Sequence, residues 1–189
     1  MAYENVKEFP LANIVRVEIE TEETTPKQYR LTDVASEANI EAYISEGDEQ
    51  ELRVKNVIKA QNKTEDIVKG YDITLTSTTM VAEILALVDG GTLKQDDAED
   101  PEKVTGYDAP PVGAPVNRIP FTAKIYTAEK DVDGSDKSYV CFNYLHCKGT
   151  PVNYSLVDGE FFAPELIFKS RPKMGESPVS IEFLAELPA

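Results

Sequence analysis

The chain has 189 residues, and its 34 acidic and 19 basic side chains give a formal net charge of −15. A charge of this sign repels nucleic acid and anionic membranes, which argues against a protein that reads DNA or binds a membrane surface. The length suits a single domain whose hydrophobic core needs neither disulfides nor metals. The first five residues do not resemble a signal peptide, and no stretch approaches the roughly 20 apolar residues of a membrane span. We therefore expect a protein that is made in the cytoplasm and remains soluble there.

Apolar and polar residues alternate with a period of two along most of the chain, which is typical of strands with one buried face. The clearest stretches are residues 11–20, 51–61, 67–77, 118–127 and 179–187. The sequence therefore predicts a mainly β protein.

Turn sequences separate these strands. Asp133-Gly134 predicts a hairpin between residues 119–128 and 139–147, and Asp158-Gly159 predicts another between residues 151–157 and 160–168. The turn at residues 131–136 also looks faintly like a calcium loop, but Val140 stands where such a loop needs a glutamate. A hairpin turn is the better interpretation.

Two segments depart from the strand pattern. Residues 79–89 have helix-forming composition, with Thr79 as the expected N-cap and Gly90-Gly91 as the stop, so we predict a short helix docked on the sheets. Its apolar stripe comprises Met80, Ile84, Leu87 and Val88. Residues 94–117 are rich in Asp, Glu, Pro and Gly and predict an exposed acidic loop.

The sequence contains no recognisable catalytic motif. His146, the only histidine, falls on the opposite strand face from Cys141 and Cys147. Six residues of straight strand separate the two cysteines by roughly 20 Å, too far for a disulfide. Neither a nucleophile elbow nor a phosphate-binding or dinucleotide-binding glycine motif occurs. We therefore expect no enzyme, no cofactor and no metal site.

The most informative feature is a long hairpin predicted over residues 38–61, with a turn at residues 45–49. One face is apolar and consists of Ile40, Ala42, Ile44, Leu52, Val54 and Ile58. The other face is polar and includes Asn39, Glu41, Glu51, Arg53, Lys55 and Lys59. A two-stranded ribbon with an apolar face is marginally stable alone, so it either folds over its own core or pairs with neighbouring subunits. The pattern by itself favours neither.

Three stretches resemble the tail tube (major tail) proteins of bacteriophages and related prophage particles. They are SEGDEQELRVKN (45–56), NKTEDIVKGYDI (62–73) and VAEILALVDGG (81–91). They follow the order of that family, which is strand, long acidic hairpin, strand, short helix and Gly-Gly. The resemblance covers residues 11–93, while the second half shares only its richness in strands. It implies a β-sandwich or barrel with a flanking helix, in six-membered rings that stack into a tube.

The resemblance also implies roles for the hairpin 38–61. Its apolar face would pack outward against the subunit bodies, and its polar face would line a channel through which DNA passes without specific binding. Arg53, Lys55 and Lys59 share the polar face with Glu41 and Glu51, so either the lining is of mixed charge or these bases pair with acids of the next subunit. The acidic loop 94–117 would form a surface or ring-to-ring contact. Expected partners are copies of the chain and other tail proteins, in a virion tail made in the bacterial host cytoplasm.

The main alternative is a monomeric β-sandwich that binds a ligand or a carbohydrate. It predicts an exposed aromatic patch, for which the candidates are Tyr139, Tyr144, Tyr154, Phe161 and Phe162. An enzyme that uses carboxylates alone is disfavoured, because chance brings some carboxylates together in so acidic a chain, and because the sequence lacks the Trp typical of sugar sites.

Overall fold

The computed structural model describes residues 6–32, 35–96, 100–153 and 155–188. Its strands are β1 (Leu11–Thr21), β2 (Gln28–Thr32), β3 (Ala35–Ser45), β4 (Glu49–Val54), β5 (Val57–Lys63), β6 (Ile67–Ser77), β7 (Thr92–Asp96), β8 (Asp100–Asp108), β9 (Phe121–Lys130), β10 (Asp136–Gly149), β11 (Glu165–Ser170) and β12 (Ser180–Leu184). A helix, α1, spans Ala82–Asp89. The prediction of a mainly β, sandwich-like or barrel-like fold with one short flanking helix is confirmed.

The main sheet is antiparallel, in the order β2-β1-β9-β10-β11-β6-β3, with β12 added to β10. One edge of β10 serves two neighbours, because Tyr139–Asn143 pair with β12 and Cys147–Gly149 pair with β11. Between these segments the register shifts and His146 has a left-handed φ of 51°, which marks a bulge that bends the strand. Since β3 also contacts β1 near the opposite end of the sheet, the sheet curls around its core.

The core draws on both halves of the chain. β1 pairs with β9 along its length, and β6 pairs with β11, so the second-half strands β9, β10 and β11 lie between two pairs of first-half strands. The most deeply buried side chains include Val17, Ile19, Ile73, Leu75, Ile84, Val88, Phe121, Ile125 and Phe168. At the centre the Phe121 ring meets Phe168 edge-on, with 5.4 Å between ring centroids.

The helix begins three residues later than predicted. Val81 takes the N-cap position without a side-chain capping bond, and Thr79 instead accepts a hydrogen bond from the Ser77 hydroxyl through its carbonyl. The predicted end is confirmed, since Gly90 has a φ of 84° and its N–H donates to the Ala86 carbonyl at 2.8 Å. Met80 lies outside the helix and is half exposed, whereas the other predicted apolar residues are buried. No helix among the described residues is long and apolar enough to cross a membrane.

The prediction of a loop over residues 94–117 is wrong in its first part. β7 and β8 form an antiparallel hairpin there, in which half-buried residues such as Leu93 and Val104 alternate with exposed ones. The Tyr107 hydroxyl donates to the Asp89 carboxylate, which fixes the base of the hairpin against α1. Residues 97–99 of the predicted loop lie outside the described residues, and residues 109–117 form no strand or helix.

Two further hairpin predictions have opposite outcomes. The hairpin around Asp133-Gly134 is confirmed, because β9 pairs with β10 across it. The hairpin around Asp158-Gly159 is wrong: the chain turns there, but residues 151–153 and 155–164 form no strand, and β11 pairs with β6 and β10 instead. Prolines at both ends of this segment, Pro151 and Pro164, lack the N–H that a ladder requires.

Candidate assembly interface

The long hairpin exists, but its strands pair differently from the prediction over residues 38–61. β3 pairs with β6, and β4 and β5 form a hairpin of their own with a turn at Lys55-Asn56. The predicted turn at residues 45–49 is therefore wrong. Leu52 and Val54 before this turn and Ile58 and Ala60 after it are all apolar and even-numbered, so the pattern resembles one continuous strand and does not reveal the turn. We call β3 and β6 the proximal ribbon, and residues 49–63 the distal hairpin.

A joint of short polar contacts connects the two parts. The Gly47 N–H donates to Asp66 Oδ1 at 2.8 Å, and the Asp48 N–H donates to Thr64 Oγ1 at 2.8 Å. The Thr64 N–H in turn donates a hydrogen bond to the Asp48 carbonyl at 3.0 Å. A Cβ at Gly47 would lie 1.8 Å from the Thr64 carbonyl oxygen, so only glycine fits there. The distal hairpin is thus attached at a defined point.

The apolar face of the proximal ribbon starts in the core and runs beyond it. Ile40 pairs with Ile73 and packs against the buried cluster. Ala42 pairs with Tyr71, and further out Ile44 pairs with Val68, where these two side chains are 41% and 48% exposed. The inner end of this face therefore covers the protein's own core, while the outer end is left uncovered in the single chain.

The distal hairpin has two unlike faces, because directly opposed residues of an antiparallel pair share a face. Leu52 is opposite Ala60 and Val54 is opposite Val57, which makes one face apolar. Arg53 is opposite Ile58, so Ile58 lies on the face of Arg53, and its predicted place beside Leu52 and Val54 is wrong. The cause is the two-residue turn, which sets Val54 opposite Val57 and therefore Arg53 opposite Ile58. The register shift beyond them leaves Lys59 as an extra residue and returns Ala60 to the face of Leu52.

Every residue of β4 and β5 is exposed, and among the described elements these strands make extensive contacts only with each other. Leu52, Val54, Val57 and Ile58 are 61%, 51%, 56% and 47% exposed. An isolated two-stranded hairpin is marginally stable in water, and clustered exposed apolar side chains mark interaction sites. The sequence prediction missed Val57, whose odd number breaks the alternation.

The predicted polar residues fall into two separate groups. Asn39 and Glu41 are exposed on the proximal ribbon, where the Asn39 amide donates to Glu41 at 3.4 Å. Glu51 and Arg53 lie on the distal hairpin, Lys55 lies in its turn and Lys59 lies at its bulge. All four are exposed.

The polar surface of the proximal ribbon continues onto residues that the sequence did not indicate. Glu41 is opposite Asp72, whose carboxylate contacts Arg171 at 2.5 Å and Lys169 at 3.8 Å. The Arg171 guanidinium also lies 4.2 Å from the ring centroid of Tyr43. This surface therefore has mixed charge with local pairing.

The aromatic candidates of the alternative do not form one exposed patch. Tyr144 is only 3% exposed and packs edge-on against Tyr71 in the core, while Phe162 lies beside Ile84 of α1. Phe161 is fully exposed, Tyr139 is half-buried on β10, and Tyr154 lies outside the described residues.

A groove of about 440 Å³ crosses β1, β2 and β9. Glu18, which lines this groove, already has partners within the chain, since its Oε1 lies 3.1 Å from Arg30 Nε and its Oε2 accepts from the Tyr126 hydroxyl at 2.9 Å. This carboxylate is therefore already engaged within the chain.

The residues considered for catalysis are His146, Cys141 and Cys147, and their contacts and burial indicate a role in the fold. His146 Nδ1 lies 2.5 Å from Glu22 and its Nε2 lies 3.3 Å from Glu176. Both cysteines are free and buried, and burial raises the pKa of the Cys147 thiol to about 12, which suppresses its reactivity. Within the described part of the chain, no group of three or more His, Cys, Asp or Glu side chains is arranged to hold a metal ion.

The sequence matches no model of a known protein family, and no curated protein shows significant similarity to it.

Proposed function

We propose that this protein is a structural subunit of a phage or phage-like tail tube, which assembles with copies of itself into stacked six-membered rings that form a DNA conduit. The observation that carries the proposal is the distal hairpin, whose apolar side chains are exposed and which makes extensive contacts with no other described element. The resemblance of residues 11–93 to tail tube proteins supplies the kind of assembly.

Assembly would cover the exposed apolar side chains on both faces of the distal hairpin. Fully burying a Val, Leu or Ile side chain is worth about 1.5–3 kcal/mol, and these side chains are roughly half exposed. Covering Leu52, Val54, Val57 and Ile58 therefore contributes about 4 kcal/mol per subunit. Closing a ring also pairs strand edges that otherwise invite uncontrolled aggregation.

The function is passive in this proposal. The polar surface with Asn39, Glu41 and Asp72 faces the channel. The net charge of −15 repels DNA, so the channel wall does not bind it. The subunit carries out no reaction and needs no cofactor. Its partners are copies of itself and other proteins of the tail.

Negative-stain electron microscopy of the purified chain at rising concentration tests the proposal. We expect hollow tubes or six-fold rings, and we expect Leu52→Asp with Val54→Asp to abolish them, because charged side chains cannot be buried in an apolar contact. Gln50→Asp with Asn62→Asp is the matched control: it adds the same charge to the same face without removing an apolar group, and it should still assemble.

A chain that stays monomeric at every concentration would overturn the proposal. Assembly by the Leu52→Asp, Val54→Asp variant would show that the distal hairpin is not the interface.

A further inference from the structure

The distal hairpin is basic at its outer end. As a whole, residues 49–63 carry four basic and two acidic side chains, a net charge of +2. The two acids, Glu49 and Glu51, lie in β4 near the point of attachment, so residues 52–60 contain three bases and no acid. We call residues 52–60 the basic tip, and its bases are Arg53, Lys55 and Lys59.

The joint between the proximal ribbon and the distal hairpin has the opposite charge. Residues 44–48 and 64–68 contain four acids and no base. These acids are Glu46, Asp48, Glu65 and Asp66, and all of them are exposed. The same residues include Ile44 and Val68, which are opposite each other at the uncovered outer end of the apolar face of the proximal ribbon. We call residues 44–48 and 64–68 the acidic joint, which thus combines an exposed apolar pair with a cluster of negative charge.

Neither surface is neutralised by an ion pair within the described part of the chain. No described carboxylate oxygen lies within 4.0 Å of a side-chain nitrogen of the basic tip, and no described basic nitrogen lies that close to a carboxylate of the acidic joint. The two bases that flank the joint have other neighbours, since Lys63 is opposite Glu49 and Lys69 lies 6.0 Å from the ring centroid of Tyr43. Both charges therefore remain available to a partner.

The basic tip cannot reach the acidic joint of its own chain. The ladder between β4 and β5 keeps the distal hairpin extended. Lys55 follows Asp48 by seven residues, and a strand rises about 3.3 Å per residue, so the turn lies roughly 23 Å from the joint. The opposite charges of the two surfaces can therefore meet only between molecules.

We propose that the basic tip of one copy docks on the acidic joint of a neighbouring copy. This inference rests on the proposed function and names the surface that the distal hairpin meets. The two surfaces are different patches of one chain, so the contact is heterologous and repeats from copy to copy, as a ring or a stack of rings requires.

Charge and apolar area have separate tasks in this contact. Copies that each carry −15 repel one another, and the local attraction between opposite charges selects the orientation in which they can approach. The apolar area comes from both surfaces. Val54 and Val57 of the basic tip are 51% and 56% exposed, and Ile44 and Val68 of the acidic joint are 41% and 48% exposed. Burying these side chains against one another holds the contact together.

Charge exchange between two variants tests the docking. Variant A carries Lys55→Glu with Lys59→Glu, and variant B carries Glu46→Lys with Glu65→Lys. Asp66 is kept in variant B, because its carboxylate fixes the joint. Each variant alone opposes like charges, so we expect its threshold concentration for assembly to rise at least about tenfold relative to wild type.

An equimolar mixture of the two variants should restore assembly. The acidic tip of variant A meets the basic joint of variant B, and the basic tip of variant B meets the acidic joint of variant A. The two variants can therefore alternate around a six-membered ring or along a stack, and we expect a threshold within about threefold of wild type. Sedimentation velocity with electron microscopy gives these thresholds, and circular dichroism checks that each variant is folded.

Lys27→Glu with Lys173→Glu is the matched control. Both lysines are exposed and lie outside the distal hairpin and the acidic joint, and their replacement changes the net charge by the same amount as variant A does. The control should assemble within about threefold of the wild-type threshold, because its tip and joint are intact. A rise as large as that of variant A would show that overall repulsion sets the threshold, and would overturn the docking.

The outcomes separate the docking from the proposed function. If variants A and B each assemble like wild type, or if their mixture does not recover, the docking is wrong while tube formation stands. If wild type never assembles, both proposals fall. DNA is the competing anionic partner of the basic tip, although the acidic body disfavours its approach. Fluorescence anisotropy with a labelled DNA duplex tests it: binding by wild type that variant A loses, with unchanged assembly, would assign the basic tip to DNA and overturn the docking.

Discussion

At the scale of single residues, Glu129 is the clearest titrating group. It lies in β9 with a side chain that is almost completely buried. The Ser138 hydroxyl donates a hydrogen bond to its carboxylate, and Lys137 lies 3.3 Å away. These partners outweigh the effect of burial and hold the pKa of Glu129 below its ordinary value of 4.5. Because the folded pKa is the lower one, ionised Glu129 stabilises the fold above about pH 4.5, and this stability is lost as the pH falls toward the folded pKa.

Removing the Ser138 hydroxyl tests the link between the pKa of Glu129 and the stability of the fold. In Ser138→Ala the pKa of Glu129 should rise, so the loss of thermal stability on acidification should begin at a higher pH than in wild type. Melting curves between about pH 3 and 6 measure the difference. Ser36→Ala is the control, because its hydroxyl contacts only the Thr76 carbonyl in the described structure, and its acid profile should match wild type. An unchanged profile in Ser138→Ala would contradict the assignment.

At the scale of elements, the distal hairpin should be removable. Ser45 is directly opposite Ile67, so residues 46–66 can be replaced by Asn-Gly, the sequence that a two-residue hairpin turn prefers. We expect the shortened chain to fold with a melting temperature within a few degrees of wild type, because β4 and β5 bury nothing in the core. It should form neither rings nor tubes. A shortened chain that fails to fold would show that the hairpin belongs to the core.

Sequence periodicity predicted elements wherever one face meets the core. β6 and the second half of β1, from Val17 on, alternate because each lies between neighbouring strands with one side buried, and Gly90 marks the end of α1 through its left-handed backbone. The same rule failed in the distal hairpin. Nothing is buried there, the Lys55-Asn56 turn lacks glycine, and this turn places Ile58 opposite Arg53 and so on the other face. Alternation locates strands, but it does not show which strands pair.

At the scale of the whole molecule, the two halves of the chain are interleaved. β1 and β6 from the first half pair with β9 and β11 from the second, and the core is lined from both. Fragments 1–112 and 113–189, divided at an exposed turn, should therefore be unfolded separately and regain strand structure when co-expressed. Far-UV circular dichroism of each fragment and of the co-purified pair measures this. A first fragment that folds alone would contradict the shared core.

The separation of the distal hairpin from the core has an evolutionary consequence. Substitutions in β4 and β5 leave the free energy of folding nearly unchanged, so selection on residues 49–63 acts through partners alone. Gly47 and Thr64, which fix the joint, are not free to vary in the same way. Related chains can therefore diverge rapidly in the partners that they bind, while all of them keep the same fold.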